Sequence, residues 1–174
     1  MTHLYYGEGK GKTTAAIGLS VRALGIGIPV VFVQFLKGRE AGEVKMLENL
    51  GATVLRGKAA DKFVSAMSDE EKIATKKISD ENLSRALSIC RKISERNEKV
   101  LLVLDEACAA WNFSMADRAR IEEIVRMPLK NMELVITGRN PPSFMLECAD
   151  YATEMRKEKH PFDSGTKARK GVEF

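Results

Sequence analysis

The chain has 174 residues, of which 44% are hydrophobic and 30% are charged. This composition is that of one ordinary globular domain, and it excludes disordered, collagen-like and disulfide-stapled proteins. The three cysteines have no C-x-x-C spacing, so neither a disulfide framework nor a zinc site is predicted. The longest apolar run, residues 100–104, is far shorter than the roughly 20 residues of a membrane span, and residues 1–6 lack the features of a signal peptide. We therefore expect a cytoplasmic protein with no membrane partner.

The net charge of +4 is unevenly distributed along the chain. Residues 1–60 contain eight basic against four acidic residues, and residues 156–174 contain six against three. Positive charge at both ends suits either a nucleic acid or one strongly anionic small ligand held by both ends. The charge pattern does not distinguish the two, but three tyrosines and one tryptophan leave few platforms for stacking bases. We expect no nucleic-acid partner.

Hydrophobic periodicity predicts strands that alternate with helices. The predicted strands are residues 3–6, 30–35, 52–55, 100–105, 133–137 and 151–155, and the segment 57–68 is not assigned. Helices are predicted within 38–50 and at 14–24, 68–97, 117–126 and 142–148, the longest of them with a break allowed near Ser79-Asp80. This order predicts an α/β fold in a single domain, residues 1–174, with a mostly parallel sheet of five or six strands and helices on both faces.

A glycine-rich segment lies directly between the first predicted strand and the first predicted helix. Its residues are Gly7, Glu8, Gly9, Lys10, Gly11, Lys12, Thr13 and Thr14. Glycines let successive backbone N–H groups point inward, the helix N-terminus adds its positive dipole, and Lys12 supplies a cation. The segment is therefore predicted to bind phosphates, and the Thr13 hydroxyl is a candidate ligand for magnesium. The usual G-x-x-x-x-G-K-[ST] spacing would place glycine where this chain has Tyr6, so the loop is either one residue shorter or shifted in register.

Acidic and basic residues follow two other predicted strands. Asp105 and Glu106 come after a buried strand, where a carboxylate faces the phosphate loop and holds a metal directly or through water. Which of the two acids touches the metal is left open. Arg139 follows another strand and could clamp a triphosphate, although a solvated arginine is an equal alternative. Arg22, deep in the first predicted helix, is similarly ambiguous.

The C-terminal segment carries a resemblance to a known family. Residues 153–162, then Gly165, Lys167-Ala168 and 171–174, closely resemble the end of the ATP:corrinoid adenosyltransferases of the cob(I)alamin or cob(I)yrinic acid a,c-diamide type. Other segments also resemble this family and occur in the same order along the chain: the short glycine loop and residues 22–25, 33–38, 104–106 and 137–139. The resemblance covers nearly the whole chain and implies a P-loop NTPase-like fold of the recombinase-like kind.

What the resemblance implies is transfer of the 5′-deoxyadenosyl group of ATP to the cobalt(I) of a reduced corrinoid, with release of triphosphate, in adenosylcobalamin synthesis or salvage. Cobalt(I) is a nucleophile with no proton to remove, so no general base is needed. Lys12 and Arg139 are the expected catalytic residues, with Arg22 among the nucleotide-binding residues and Thr13 with Asp105 or Glu106 holding Mg²⁺ or Mn²⁺. The implied partners are a second copy of the chain and a reducing flavoprotein as electron donor.

The family places apolar residues against the corrin. Many relatives have a Phe-Thr-Trp segment there, whereas this chain has Phe63-Val64-Ser65-Ala66-Met67, so Phe63 and Met67 are the expected corrin contacts. Trp111 is expected to pack in the core or an interface. Longer relatives also carry an N-terminal extension that caps the site; because this chain starts almost at its first strand, we expect closure by a partner subunit or by the tail, which is expected to be ordered.

Two other functions remain open on the sequence. One is a P-loop ATPase or kinase that attacks the γ-phosphate, with Glu106 orienting the acceptor. The other is a nonenzymatic module that binds nucleic acid or senses ATP through the basic ends. The absent glycine at position 6 and the C-terminal segment count against the ATPase or kinase, and the few tyrosine and tryptophan residues count against the nucleic-acid module.

Overall fold

A computed structural model describes residues 1–38, 41–165, 169 and 171–172 of the chain, and a six-stranded sheet lies at its centre. The strand order is β3-β2-β4-β5-β1-β6, and every pair is parallel. The predicted α/β fold with a P-loop NTPase-like sheet of five or six strands is confirmed. The strands are β1 (Thr2–Tyr6), β2 (Val30–Gln34), β3 (Thr53–Arg56), β4 (Val100–Asp105), β5 (Met132–Gly138) and β6 (Tyr151–Glu154).

Helices cover both faces of this sheet. One face packs against residues of α1 and α2, and the other packs against residues of α3, α4, α5 and α6. The central strands β2 and β4 are buried along their whole length, because helices lie on both sides of them. The helices are α1 (Lys12–Leu24), α2 (Gly42–Asn49), α3 (Asp69–Glu95), α4 (Ala107–Asn112), α5 (Arg118–Arg126) and α6 (Ser143–Glu147), with short 3₁₀ turns at Val64–Ala66 and Pro161–Ser164.

Helix α3 begins at the predicted capping box but runs on without the break allowed near Ser79-Asp80. The Ser68 hydroxyl accepts a hydrogen bond from the Glu71 N–H, and the Glu71 carboxylate accepts one from the Ser68 N–H. The Ser79 hydroxyl donates to the Thr75 carbonyl one turn earlier. The Asp80 carboxylate accepts from Lys76 and from the Asp117 N–H, so it does not compete for the backbone of its own helix.

One helix begins earlier than predicted, and one helix was not predicted at all. Helix α1 begins at Lys12 rather than Thr14, because Gly11 adopts the left-handed conformation (φ 117°) and the chain turns into the helix at the next residue. Helix α4 was not predicted, although its run of Ala, Cys, Ala, Ala is compatible with a helix. It begins directly after Glu106, so the acids at the end of β4 are followed at once by a helix N-terminus.

The strand register gathers the predicted site at one edge of the sheet. Tyr6 is aligned with Gly138, and Gln34 is aligned with Asp105, so β1, β2, β4 and β5 end at similar heights. The segments after these strands therefore meet at the carboxyl edge, where ligands bind in open α/β sheets. Among the described residues, none of the helices is both long and apolar enough to cross a membrane.

Candidate active site

The glycine-rich loop between β1 and α1 curls around the ammonium of Lys12. Tyr6 is the last residue of β1, and Gly7 starts the loop with φ 105°, so the loop is one residue shorter than the usual spacing. The Lys12 Nζ donates to the carbonyl oxygens of Gly7 at 2.6 Å and Gly9 at 2.7 Å. Lys12 is only 8% exposed, and its burial lowers the pKa of the ammonium. The loop therefore encloses a cation whose side chain also lines the cleft described below.

The chain that follows β6 packs against the same loop. The Gly9 N–H donates to the Met155 carbonyl at 2.6 Å, and the Met155 N–H donates to the Tyr6 carbonyl at 2.7 Å. A Cβ atom on Gly9 would lie 2.6 Å from the Arg156 carbonyl oxygen, which is a backbone atom and cannot rotate away. Gly9 is therefore required by the close approach of the C-terminal segment, which holds the loop in place.

Asp105, at the end of β4, is the centre of a buried hydrogen-bond network. Its carboxylate is 0% exposed and accepts four hydrogen bonds. Oδ1 accepts from the hydroxyls of Thr13 (2.8 Å) and Thr137 (2.7 Å). Oδ2 accepts from the Gln34 amide (3.1 Å) and from the Lys37 ammonium (2.9 Å). Asp105 thereby ties the phosphate loop to the ends of β2 and β5.

Glu106 has a different environment from its neighbour. Its backbone is left-handed (φ 61°), and its N–H donates to the Thr137 hydroxyl at 3.0 Å. The side chain lines the cleft described below. Burial, and then the adjacent Asp105 carboxylate, raise the pKa of Glu106 above the ordinary value of a glutamate. A cation in the cleft would therefore stabilise the charged form of this poorly solvated carboxylate.

Arg139 reaches the phosphate loop from the end of β5. Its Nη1 lies 2.9 Å from Oε2 of Glu8, and both side chains are more than half exposed. This ion pair crosses the mouth of the site, so its own contribution to stability is small. The predicted triphosphate clamp is thus within reach of the loop, and in this conformation it is engaged by Glu8.

A cleft of about 600 Å³ joins these groups. The loop, Lys37, Glu106 and Arg139 form its walls, and the C-terminal segment adds a further side. The lining residues are Glu8, Gly9, Lys10, Gly11, Lys12, Thr13, Thr14, Ile17, Lys37, Gly42, Glu43, Glu106, Arg139, His160, Gly171 and Val172. A cleft of this size, with convergent cations above a helix N-terminus, suits a nucleotide with several phosphates.

The donor atoms around Thr13 fit a hard divalent cation. The hydroxyl of Thr13 and the carboxylates of Asp105 and Glu106 offer only oxygen, the ligand that Mg²⁺ and Mn²⁺ prefer. The Gln34 Oε1 atom beside Asp105 is buried and has no hydrogen-bond partner, so the site around Thr13 and Asp105 contains an unsatisfied oxygen acceptor. No group of three or more His, Cys, Asp and Glu side chains is placed to bind a metal in the part of the chain that the structure describes. The site therefore suits a metal ion whose coordination shell is completed by phosphate oxygens and water.

Three residues of this site were not predicted from the sequence. Gln34 is the last residue of β2, Lys37 follows that strand, and Thr137 is the penultimate residue of β5; all three contact Asp105. The available signal was position: each lies at or just after the carboxyl end of a buried strand, as Asp105 does. Residues 33–38 and Thr137 were noted only within segments that resemble the family.

The remaining predicted site residues lie away from the cleft. Arg22 is exposed in the last turn of α1 and is not part of the cleft lining. Phe63 is 86% exposed, whereas Met67 is 5% exposed and its sulfur accepts from the Thr75 hydroxyl at 3.8 Å. Met67 has almost no surface to offer to a corrin in this conformation. The roles of all three residues stay predictions.

The sequence also predicts that Trp111 packs in the core or an interface and that the C-terminal tail is ordered. The Trp111 ring packs against Phe144 and the main core cluster, with the Arg118 guanidinium 4.6 Å from the ring centroid, as expected of a core residue. His160, Gly171 and Val172 line the cleft. Other tail residues expected to be ordered or charged lie outside the described residues, namely Lys167, Ala168, Lys170, Glu173 and Phe174.

Sequence comparisons give one consistent family. The sequence model described as "ATP:corrinoid adenosyltransferase BtuR/CobO/CobP" matches residues 1–174. The chain is 35% identical over 171 residues to a corrinoid adenosyltransferase of Sinorhizobium sp., covering 97% of this chain and 77% of the relative. It is 31% identical over 172 residues to a corrinoid adenosyltransferase of Pseudomonas aeruginosa, covering 98% and 82%. It is 29% identical over 180 residues to a corrinoid adenosyltransferase of Escherichia coli (strain K12), covering 98% and 84%.

Proposed function

Because this chain belongs to the ATP:corrinoid adenosyltransferase family, we propose that it transfers the 5′-deoxyadenosyl group of ATP to the cobalt of a reduced corrinoid. The observation that carries the proposal is the short phosphate loop with its buried Lys12, facing the Asp105–Glu106 strand end across one cleft. The P-loop ATPase or kinase alternative is not favoured, since the family and its relatives are adenosyltransferases.

The reaction needs an in-line displacement at carbon. The electron pair of cobalt(I) forms the cobalt–carbon bond at C5′, and the C5′–O5′ bond breaks, with its electron pair leaving on triphosphate. No proton moves in this step, so the protein needs no general base. Its tasks are to hold ATP in line and to stabilise the leaving group, whose negative charge grows in the transition state.

The cleft residues suit these tasks. We propose that the loop from Gly7 to Thr14 and the Lys12 ammonium hold the triphosphate, because the N-terminus of α1 and a buried cation favour an anion there. Arg139 lies at the mouth of the cleft beside Glu8. When phosphates enter, its guanidinium can exchange the single carboxylate for phosphate oxygens, which it binds bidentately.

A divalent metal, Mg²⁺ or Mn²⁺, would be held by Thr13, Asp105 and Glu106. When bound, it would neutralise charge on the leaving triphosphate. Asp105 also orients Thr13, because the Thr13 hydroxyl donates to Oδ1 and so turns its lone pairs away from Asp105. The Thr137 hydroxyl both supports Asp105 and accepts from the Glu106 N–H, which fixes the two acids relative to each other.

For the corrinoid, we propose that Phe63 contacts the corrin. It is 86% exposed, at the start of the turn Val64–Ala66 that precedes α3. This exposure leaves the ring free to contact a ligand, and the assignment to the corrin rests on the family resemblance of residue 63. Met67, buried beside Thr75, is better placed to support this turn than to touch the corrin.

The remaining proposals concern partners and setting. We propose one nucleotide-binding domain over residues 1–174, a homodimer, a reducing flavoprotein that supplies electrons for cobalt, and a cytoplasmic location. The two core clusters lie on opposite faces of the one sheet, which supports a single domain, and the cysteines Cys90, Cys108 and Cys148 are free thiols, which suits a reducing compartment. The homodimer and the flavoprotein rest on the family resemblance. Sedimentation of the purified chain should give twice the mass of one chain, and a monomer across the working concentration range would contradict the dimer.

The experiment that tests the function is anaerobic incubation of the protein with MgATP and chemically reduced cob(I)alamin. A light-sensitive alkylcobalt spectrum should develop with the wild-type protein. The matched variant Lys12→Ala should lose this product, because it lacks the buried cation of the loop. An unchanged corrinoid spectrum with folded wild-type protein would refute the proposal.

A further inference from the structure

Lys37 lies at the centre of the proposed metal corner. Its Nζ is 2.9 Å from Oδ2 of Asp105 and 3.2 Å from Oγ1 of Thr13, so one ammonium bridges two of the proposed metal ligands. Asp105 is fully buried, whereas the Lys37 side chain is 35% exposed and lines the cleft. The ammonium therefore lies between a buried carboxylate and the space proposed for phosphates.

The backbone after β2 is held in an unfavourable conformation that aims Lys37 at this corner. Leu36 has φ 59°, a left-handed conformation that a leucine rarely adopts. Immediately before it, the Phe35 N–H donates to the Asp105 carbonyl at 3.0 Å, which fixes the turn against the end of β4. Such a residue persists only where its surroundings over-determine it, and it often marks a functional site.

The charges around Asp105 make Lys37 different from its other partners. Thr13, Thr137 and Gln34 are neutral donors, and Lys37 is the cation paired with Asp105 in the part of the chain that the structure describes. A buried carboxylate without a positive partner is strongly unfavourable. A divalent cation at this corner would satisfy the same requirement, and the two cations cannot both occupy the position that contacts Thr13 and Asp105.

We propose that Lys37 is the exchangeable counter-cation of Asp105 and competes with a divalent metal for the position that contacts both Oγ1 of Thr13 and Oδ2 of Asp105. The metal then binds tightly only together with ATP, because the phosphates accept the displaced ammonium. Lys37 can make this exchange, since its long flexible side chain already reaches the cleft. The inference rests on the proposed nucleotide site and adds to it the order in which metal and nucleotide bind.

The test measures binding of Mn²⁺ in the absence of nucleotide and corrinoid. The electron paramagnetic resonance signal of free Mn²⁺ reports how much of the ion is unbound. Lys37→Met should bind Mn²⁺ about tenfold more tightly than the wild-type protein or more, because one positive charge has left the metal corner. Lys10→Met is the matched control, since it removes the same charge from the same cleft without touching Asp105. It should change Mn²⁺ affinity by less than about threefold.

A second readout is thermal stability. In EDTA, Lys37→Met should melt below the wild-type protein, and saturating Mn²⁺ should raise its melting temperature more than it raises that of the wild type. If Lys37→Met does not fold, the same Mn²⁺ affinities and melting temperatures are compared between the wild-type protein and Lys37→Gln, which keeps a neutral hydrogen-bond donor. Equal Mn²⁺ affinity in the wild-type and the folded Lys37 variant would overturn the inference. Wild-type adenosyl transfer is measured separately, so failure of the function and failure of this inference give different results.

Discussion

Half of the eight buried polar side chains among the described residues lie at the active edge. Lys12, Gln34, Asp105 and Thr137 are buried at the phosphate loop or at the ends of β2, β4 and β5. Lys12 and Asp105 could be predicted, because each belongs to a local pattern at a strand end. Gln34, Lys37 and Thr137 also lie at or just after strand ends, but that position alone does not single them out, because their role rests on contacts with Asp105, which is distant in the chain.

Loss of the Lys12 ammonium should abolish most of the activity. For Lys12→Ala we expect kcat/KM for adenosyl transfer to fall by about a hundredfold or more, since a preorganised charge on the leaving group is lost. Lys10→Ala, which removes a more exposed lysine of the same loop, should cost less than about tenfold. Equal losses in the two variants would show that only the total charge of the loop matters. Initial rates at saturating reduced corrinoid give the comparison.

Replacement of Glu106 should separate stability from activity. Because the pKa of Glu106 is raised, the folded protein binds the carboxyl proton more firmly than the unfolded chain does. The charged carboxylate therefore lowers the free energy of unfolding at neutral pH. This loss of stability disappears as the pH falls through the raised pKa. Glu106→Gln should therefore melt above the wild type at pH 7 in EDTA. The difference should shrink toward acid pH, where the wild-type side chain is also neutral.

The same Glu106→Gln variant should transfer adenosyl groups more slowly and need more Mg²⁺. Melting curves between pH 5 and 8 and a Mg²⁺ titration of the rate provide the two measurements. A variant that is less stable than the wild type at pH 7 in EDTA would contradict the raised pKa of Glu106, and unaltered Mg²⁺ dependence of the rate would remove Glu106 from the proposed metal site.

Among the elements, the phosphate loop depends on the chain after β6 as much as on its own glycines. The sequence predicts the loop from its glycines and the strand–helix context, and it predicts most of the alternating strands and helices from periodicity. It does not predict that residues 155 and 156 pack on the loop, since that contact joins the two ends of the chain. It predicts α3 as one long helix but leaves a break near Ser79-Asp80 open, because the side-chain partners of Ser79 and Asp80 that keep the helix continuous are visible only in the structure.

A single methyl group should test this contact. Gly9→Ala places a Cβ atom 2.6 Å from the Arg156 carbonyl oxygen, so the loop or the tail must shift. We expect a loss of stability of about 1–3 kcal/mol and weaker ATP binding. The matched control is Gly18→Ala in α1, where the added atom meets nothing within 4 Å and should stabilise by about 0.5–1 kcal/mol. Urea unfolding and ATP titration should give opposite stability changes for the pair. Similar stabilities would show that the tail does not constrain the loop.

At the scale of the whole molecule, the parallel sheet explains why residues from four distant segments meet. The carboxyl ends of β1, β2, β4 and β5 lie side by side, and the segments after them supply the loop, Lys37, the two acids and Arg139. Alternating strands and helices in the sequence are sufficient to predict this edge. The chemistry is less general than the fold, because a phosphate loop serves attack at phosphorus as well as attack at C5′. Family membership and the shortened loop distinguish the two.

The most direct test is therefore the identity of the phosphate product. Anaerobic incubation with MgATP and cob(I)alamin, followed by phosphorus NMR of the released phosphates, reports which bond of ATP breaks. Attack at C5′ predicts inorganic triphosphate in a 1:1 ratio to the alkylcobalt product. ADP and orthophosphate, with no alkylcobalt formed, would place the attack at the γ-phosphorus and contradict the account.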